Sequence, residues 1–449
     1  AEANATFSTH LDLTAVGFAA ALALLTAVAF GLFPALYATR PDLTSAIRAS
    51  GGQPSGGRAA SRWRTGLATA QIALSMALLG AAGLFTRSLA NISRIDLGVK
   101  VEHVVTFGIS PELNGYKPEQ TRQLTERLTD ELRRVPGVTG VTTSMVPLLA
   151  GSNWGNDVNV EGFPSGPDVD ANSRYNEVGP EYFSTLGVPL MAGREFTRAD
   201  GLDAPRVAIV NQAFTRKFNL GANPVGKRMD RGNKKLDVLI VGLARDAKYS
   251  RVKDEVPPLF FTPVAQDSGR GFANYYVRTS LDPKLLVPAI PKVVAQLDPN
   301  LPVETLRTMP DQIRDNVFMD RFISTFAAAF AALATLLAAI GLYGVLAYTV
   351  AQRTREIGVR MALGASPRLV LSMVLRQVGV MTLIGGVIGM AAAVGAGRLT
   401  QSLLYRMQGF DPLVLGAAAA ILSLVALGAG AVPAMRASKV EPTQALRYE

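Results

Sequence analysis

The sequence predicts an α-helical transmembrane bundle of five spans carrying an external α+β domain, the latter built from ferredoxin-like β-α-β units with an inserted, mostly-β lobe. Charge-free apolar runs occupy Leu13–Tyr37, Thr65–Thr86, Phe322–Gln352, Gln377–Gly397 and Pro412–Met435. Each exceeds the ~20 residues that a helix needs to cross a hydrocarbon core of roughly 30 Å. Basic residues crowd the polar segments at one end of these runs, and a polar stretch of more than 200 residues, Arg87–Arg321, repeats a strand–helix–strand pattern at its two ends. With 49 % hydrophobic and 18 % charged residues, the chain is too apolar for an ordinary soluble protein.

The formal net charge of +10 follows the same topology. Segments 37–64, 351–368 and 436–449 carry 5, 4 and 3 Lys/Arg against 1, 1 and 2 acidic residues, whereas residues 1–12 hold Glu2 and Asp12 and no Lys or Arg. The positive-inside bias puts the start of this chain outside and its end in the cytoplasm. No recognition motif accompanies the charge, so the basic excess points to membrane lipid and not to nucleic acid. The lack of cysteine excludes disulfides, thiolate metal sites and Cys nucleophiles. His10 and His103, the two histidines, lie in different regions and do not make a metal site or a triad. The chain is therefore read with no catalytic residue, metal or cofactor of its own.

Taken in order, residues 1–64 hold the first apolar run and a basic linker. Residues 34–48, PALYATRPDLTSAIR, reappear as residues 433–447, PAMRASKVEPTQALR, with six identities over fifteen aligned positions. Such a repeat reads as a duplicated membrane unit, with 1–64 as the last helix of a preceding copy. The chain begins at Ala1 without an initiator Met, and the native protein is expected to continue upstream with another external domain and three more helices. Residues 65–100 make a span and stalk helix. Within 101–310, His103–Ser110 and Val138–Ser144 are strand-like around an amphipathic helix, Pro118–Arg134, that places Leu124, Leu128 and Leu132 on one face. Asn274–Thr279 and Val303–Leu306 flank a second helix, Asp282–Leu297, in the same way. Two such units closing on each other make a ferredoxin-like core. The Gly-, Pro-, Asn- and Asp-rich stretch between them, about 150–272, is the inserted lobe. From Asp311 no Gly or Pro occurs until Gly341, which predicts one stalk and membrane helix over 311–352, roughly 60 Å long at 1.5 Å per residue, with Thr65–Ile95 as its partner. Residues 353–369 form a cytoplasmic connection, and 370–449 hold the last two helices and a tail.

Several motifs carry no chemistry on inspection. Gly221-Ala-Asn-Pro-Val-Gly226-Lys227 has phosphate-loop spacing, but Arg228 stands where a P-loop needs Ser or Thr, and a helical stretch, Gln212–Phe218, precedes it where a strand should. Ser50-Gly-Gly-Gln53 sits in a Gly/Ser/Pro linker with no Walker sequences in the chain. Asp157, Asp168, Asp170, Asp200 and Asp203 lie in loop-like sequence without ordered ligand spacing and read as a solvated face. Inside the spans, Gln71 is the main polar side chain and Arg376 lies near an inner end, so coupled ion transport lacks its usual intramembrane charges. Gly385 and Gly389 form a GxxxG pair suited to close helix packing, with dimerisation as an alternative.

The informative polar element is Arg353-Thr-Arg355-Glu356-Ile357-Gly358-Val-Arg360-Met-Ala-Leu-Gly-Ala365. Alone it is an ordinary basic connection with an i,i+4 Glu356/Arg360 pair. Between the second and third helices of a four-helix unit, RxxEIGxRxALGA resembles the FtsX-like, MacB-type permeases. The external sequences Glu181-Tyr-Phe-Ser-Thr-Leu-Gly187, Gly193-Arg-Glu-Phe196, Val207-Ala-Ile-Val-Asn211, Val238-Leu-Ile-Val-Gly242 and Asp246-Ala-Lys-Tyr249 resemble that family's periplasmic core domain. The resemblance covers 65–449, and the extra first helix is closest to fused two-unit permeases. It implies a permease subunit of an ATP-binding-cassette system in a bacterial inner membrane. An ATPase dimer would dock on Arg353, Arg355, Glu356, Ile357, Gly358 and Arg360, moving the long helices and with them the periplasmic domain, for export or extraction of a substrate. A periplasmic adaptor or target protein is implied as a further partner. The alternative implied is a transmembrane mechanotransducer that regulates a periplasmic enzyme or sensor.

Overall fold

The computed structural model of the protein describes residues 13–38, 57–232, 235–269 and 271–438. The motif Ser50–Gln53, His10 and the polar parts of both repeated tails lie outside these residues. Helix α1 runs over Leu13–Ala38 and α2 over Gly57–Ile92. After the α+β domain come α9 (Phe318–Gln352), α10 (Thr354–Ala362), α11 (Pro367–Leu399) and α12 (Pro412–Ser438). Four helices among the described residues are long and apolar enough to cross a membrane: α2 from Ser61, α9, α11 and α12. The sequence called for a fifth span at Leu13–Tyr37; that stretch is helical, but length and composition establish four.

The chain divides into two compact units. One comprises residues 1–73, 337–385 and 423–449, and the other 74–336 and 386–422. In the first, the helices close on one another through small residues. A methyl on Gly341 of α9 would lie 2.1 Å from Gln71 Oε1, and one on Gly385 of α11 would lie 2.7 Å from Ile72 Cγ2 and 2.8 Å from the Thr69 carbonyl. The guanidinium of Arg64 caps the Tyr348 ring at 4.1 Å, and Arg436 donates to the Tyr343 hydroxyl at 3.1 Å.

The second unit holds the α+β domain and parts of α2, α9, α11 and α12. Its strands are β1 (Val104–Ile109), β2 (Val138–Ser144), β3 (Trp154–Asp157), β4 (Asn172–Val178), β5 (Leu190–Gly193), β6 (Val207–Asn211), β7 (Arg228–Met229), β8 (Val238–Ala244), β9 (Leu259–Pro263), β10 (Ala273–Thr279) and β11 (Glu304–Thr308). Between them lie α3 (Pro118–Arg134), α4 (Tyr182–Leu186), α5 (Gln212–Lys217), α6 (Pro283–Leu286), α7 (Ile290–Leu297) and α8 (Met309–Asn316). The strands form one sheet in the order β11-β1-β10-β2-β4-β9-β6-β8-β5.

At one end of that sheet, β1 lies antiparallel between β10 and β11, and β10 pairs antiparallel with β2. Strand β1 is buried on both faces, and Thr106 is its one polar side chain. Val105, Phe107 and Ile109 share a core with Leu124, Leu128 and Leu132 of α3 and with Ile290 and Val294 of α7. Val104 and Tyr276 belong to the core on the opposite face. Phe107 stacks on its cross-strand partner Tyr275, with centroids 4.9 Å apart. The helix expected over Asp282–Leu297 is interrupted at 287–289. Pro288 lacks the N–H a helix interior uses, so the chain restarts with Pro291 in the first turn of α7, where proline is tolerated. The expected 311–352 helix is likewise two helices, α8 and α9, broken at Val317 with φ −106° and ψ 14°.

The stretch 150–272 contributes β3 to β9 and has its own core of Phe214, Phe218, Met229, Val210 and Phe260. It continues the same sheet, joined to β2 by the single pair Ser144–Val178. Two of the sequence motifs hold each other here. Glu195 Oε1 accepts from the backbone N–H groups of Phe183 (2.6 Å) and Ser184 (3.2 Å), satisfying the start of α4. Gly193 has φ +78°, and a side chain there would meet the Val241 carbonyl at 2.0 Å, so only glycine fits. Arg194 grips Asp200 with two bonds of 2.8 and 2.7 Å, and the Thr197 N–H donates to the same carboxylate at 2.9 Å.

The Arg194 hydrogen bond holds the buried Asp200 carboxyl below the usual carboxylate range. This contribution to stability is complete above the ordinary carboxylate value and is lost as pH falls through the depressed one. Asp200→Ala is expected to cost about 1–3 kcal/mol at neutral pH, because Arg194 and the Thr197 N–H lose their acceptor. Denaturant unfolding of the detergent-solubilised protein should show the gap between the two proteins narrowing as pH drops below about 4. A gap that stays constant down to pH 2 would place the interaction elsewhere.

Candidate functional site

The segment singled out by sequence, 353–365, folds as a short helix between α9 and α11. Arg353 stands at its N-cap and is exposed. Helix α10 carries Glu356 and Arg360 on its open face, where they form an i,i+4 pair of 2.6 Å with both side chains about half exposed. Such a pair contributes about 0.3–0.5 kcal/mol to the helix, so local stability alone is a small reward. Ile357 is 3 % exposed and Gly358 is buried, so these two face inward. Arg355 is the second residue of the helix. Val359 and Leu363 are exposed at 40 % and 83 %, next to the ion pair. Arg360 also donates to Met373 Sδ at 3.7 Å.

The end of α10 explains the Leu-Gly-Ala of the motif. Gly364 has φ +94°, a left-handed conformation that glycine adopts without strain. The Ala365 N–H returns to the Arg360 carbonyl at 2.9 Å, and the Gly364 N–H to that of Met361 at 3.1 Å. Pro367 then opens α11. The six candidate residues thus split into exposed Arg353, Glu356 and Arg360 and inward Ile357 and Gly358, with Arg355 placed on the helix by its backbone. The apolar pair Val359 and Leu363 was missed by sequence reading, since an exposed Leu looks like any other in an apolar chain.

Gly385 and Gly389 are both buried within the chain. Gly385 receives α2 at backbone contact distance, as described above, so this face is used for internal packing. In the other unit α2 packs in the same manner. Methyls on Gly80 and Gly83 would meet Ala393 at 2.8 Å and Val414 at 2.5 Å. Ser75 Oγ donates to the Ala334 carbonyl of α9 at 2.8 Å, and Thr86 and Ser324 hydroxyls lie 3.3 Å apart. Arg87 pairs with Asp411 at 2.7 Å, and Asp411 accepts from the first N–H groups of α12.

A group of amides fastens α8 to the α+β domain. Gln312, 5 % exposed, donates to the Leu148 carbonyl. Asn316 donates to the Leu149 carbonyl at 3.2 Å and accepts from the Val252 N–H at 3.0 Å. Lys253 pairs with Asp320 at 2.6 Å across the Val317 break. Sequence reading saw this segment as charged stalk and missed the two amides, which look like ordinary surface residues without their partners.

The other candidates resolve locally. Gly221–Lys227 is a turn, with Lys227 N–H bonded to the Pro224 carbonyl at 3.1 Å, and it leads into strand β7 where a phosphate loop would lead into a helix. Asp170 pairs with Lys217 at 2.8 Å, and Asp157 accepts from Asn172 at 3.1 Å.

Comparison with known proteins gives two family matches. Residues 65–307 match the model of the MacB-like periplasmic core domain, and residues 328–442 match that of the FtsX-like permease C-terminal region. Among curated relatives, the pyoverdine export ATP-binding/permease protein PvdT of Pseudomonas entomophila is 29 % identical over 58 % of this chain and 41 % of its own length. The macrolide export ATP-binding/permease protein MacB of Chromobacterium violaceum is 27 % identical over 63 % of this chain and 44 % of its own. The chain thus spans less than half the length of these relatives. The solved periplasmic region of MacB from Actinobacillus actinomycetemcomitans aligns over 51 % of this chain and 97 % of its own, at 14 % identity and a TM-score of 0.35, too low to carry an argument.

The glycine contacts give a paired test of the helix packing. Gly385→Ala is expected to destabilise the detergent-solubilised protein by about 1–3 kcal/mol, since the methyl would press on the Thr69 carbonyl. Gly386→Ala, whose methyl has nothing within 4 Å, should be neutral or slightly stabilising. Equal melting temperatures for the two variants would mean that α2 does not approach α11 as closely as described.

Proposed function

Because this chain belongs to the family of the MacB-like periplasmic core domain, we propose that it is the permease part of an ATP-binding-cassette system, converting ATPase movement in the cytoplasm into rearrangement of a periplasmic domain. The chain is a multi-pass membrane protein. In this reading it sits in the bacterial inner membrane with the first described helix as a fifth span. The α+β domain lies in the periplasm, and α10 and the C-terminal tail lie in the cytoplasm, as the basic segments require. The four strands β11-β1-β10-β2 with α3 and α7 are the ferredoxin-like core of that domain.

The observation that carries the proposal is the exposed face of α10. Glu356, Val359, Arg360 and Leu363 offer a charged pair beside an apolar pair. A buried apolar anchor with charges at its rim is the usual anatomy of a protein contact. The partner is an ATPase dimer whose P-loops lie outside these 449 residues. Movement of α10 passes into α9, a single helix up to Phe318. Beyond the break at Val317, Gln312 and Asn316 carry the movement to the backbone at Leu148, Leu149 and Val252. Few intramembrane charges are available for an ion path, so the mechanical route fits the chemistry better than a charged channel. Export or extraction of a substrate that meets the periplasmic domain is the resulting activity.

Membrane orientation has a direct test, since the protein has no cysteine background. In intact spheroplasts an impermeant thiol reagent should label Ser165→Cys and spare Ser366→Cys, and the reverse pattern would invert the proposed orientation. For the contact itself, Leu363→Asp combined with Glu356→Arg and Arg360→Glu should abolish co-purification of the ATPase and its stimulation by the permease. Membrane insertion should remain normal. Full stimulation by the triple variant would remove α10 from the interface while leaving family membership untouched.

A further inference from the structure

Where the apolar spans end in the second unit, a cleft of about 880 Å³ opens, lined by Asn91, Arg94, Lys248, Lys253, Tyr405 and Arg406 among others. Its walls come from three places: the end of α2, the turn between α11 and α12, and the α+β domain. Most charges around it are matched. Arg216 pairs with Asp246 at 2.6 Å, Lys253 with Asp320 at 2.6 Å, and Arg245 with Asp96 at 2.7 Å. Among the described residues, three lining cations, Arg94, Lys248 and Arg406, and one exposed lining carboxylate, Glu255, make no ion pair, which leaves the positive charge in excess.

Two of these unpaired cations share one aromatic ring. Lys248 Nζ lies 5.9 Å from the Tyr405 ring centroid, and the Arg406 guanidinium carbon lies 5.6 Å from it. Lys248 is only 7 % exposed, and its ammonium donates to the Asp254 carbonyl. Burial lowers its pKa first and the neighbouring Arg406 charge second, while the Asp254 and Glu255 carboxylates act in the opposite sense. Arg406 is held at φ +47°, where a non-glycine residue costs of order 1 kcal/mol. The Tyr405 N–H is fixed by Ser88 Oγ at 2.9 Å, so the ring is anchored to α2. Like charges gathered on a fixed ring at some backbone cost are an arrangement that an anion would complete.

From the juxtaposition of Lys248 and Arg406 at Tyr405, with Arg94 lining the same cleft where the apolar spans end, we propose that this cleft binds a phosphate-bearing anion. Arg supplies forked donors that suit phosphate oxygens, and Lys supplies a point charge. The volume admits a glycerophosphate with room for water. The position is that of a phospholipid headgroup, which would tie the turn between α11 and α12 to the α+β domain through its phosphate. A free phosphate compound would use the same donors.

The full chain in detergent decides this through native mass spectrometry of retained phosphatidylglycerol against phosphatidylcholine, with inorganic phosphate and glycerol 3-phosphate as soluble competitors. Phosphatidylglycerol should be retained about tenfold more strongly than phosphatidylcholine. Arg406→Gly should weaken that retention about fivefold, a size expected for one cation at a membrane surface. Because the glycine relieves the positive φ, its melting temperature should be unchanged or higher, which separates lost binding from lost folding. Lys248→Met should weaken retention similarly, and Arg228→Gln, on the same domain outside the cleft, should not. Displacement by millimolar glycerol 3-phosphate or phosphate would support a free anion as occupant, and resistance to it would support the lipid. Equal retention of both lipids with no phosphate binding, or an Arg406→Gly protein indistinguishable from Arg228→Gln, would overturn the site.

Discussion

The membrane half of this protein depends on how closely the other helices approach α2. In lipid there is no hydrophobic force to press helices together, so association rests on van der Waals contact and a few hydrogen bonds. Along α2 these are supplied by small residues. Gly80 and Gly83 receive Ala393 and Val414, and Thr69 and Ile72 receive Gly385. Gln71, the polar side chain that looked out of place in an apolar run, lies against the bare backbone of Gly341. Ser75 adds a hydrogen bond to the Ala334 carbonyl. Small side chains give the helices their contact, and the polar ones add direction.

The α+β domain solves a different problem, that of seating a long mixed sheet with many turns in water. Its recurrent sequence motifs are places where two segments support each other. Glu195 satisfies the backbone at the start of α4, and Arg194 closes on Asp200 only because Gly193 lets the chain pass the Val241 carbonyl. Tyr182, Tyr249 and Tyr276 fill the core below with their hydroxyls either bonded to backbone or raised in pKa by burial. The domain is then fastened to α8 by amides and not by apolar packing alone. Amides are directional, so this fastening specifies one orientation of α8 against the domain.

The joint at Val317 changes the mechanical picture drawn from sequence. One uninterrupted helix over 311–352 would move the domain as a rigid extension. Instead, α8 is bonded to the domain through Gln312 and Asn316, and α9 begins anew at Phe318, one residue beyond the break. The Lys253–Asp320 pair bridges that break from the domain side.

Much of this was legible in the chain itself. The apolar runs fixed four helices, because a helix that must bond its own backbone in lipid has a length set by the bilayer. Leu124, Leu128 and Leu132 located α3, because the helical period follows from local geometry, and the strand-like runs 103–110 and 274–279 anticipated β1 and β10. Tertiary structure alone decided which strand lies beside which, that residues 150–272 extend the first sheet, and that Gln312 and Asn316 are anchors. It also brought Lys248, Arg94 and Arg406 to one cleft from positions far apart in sequence. Such choices rest on contacts between distant residues, whose energies depend on partners that no local pattern names.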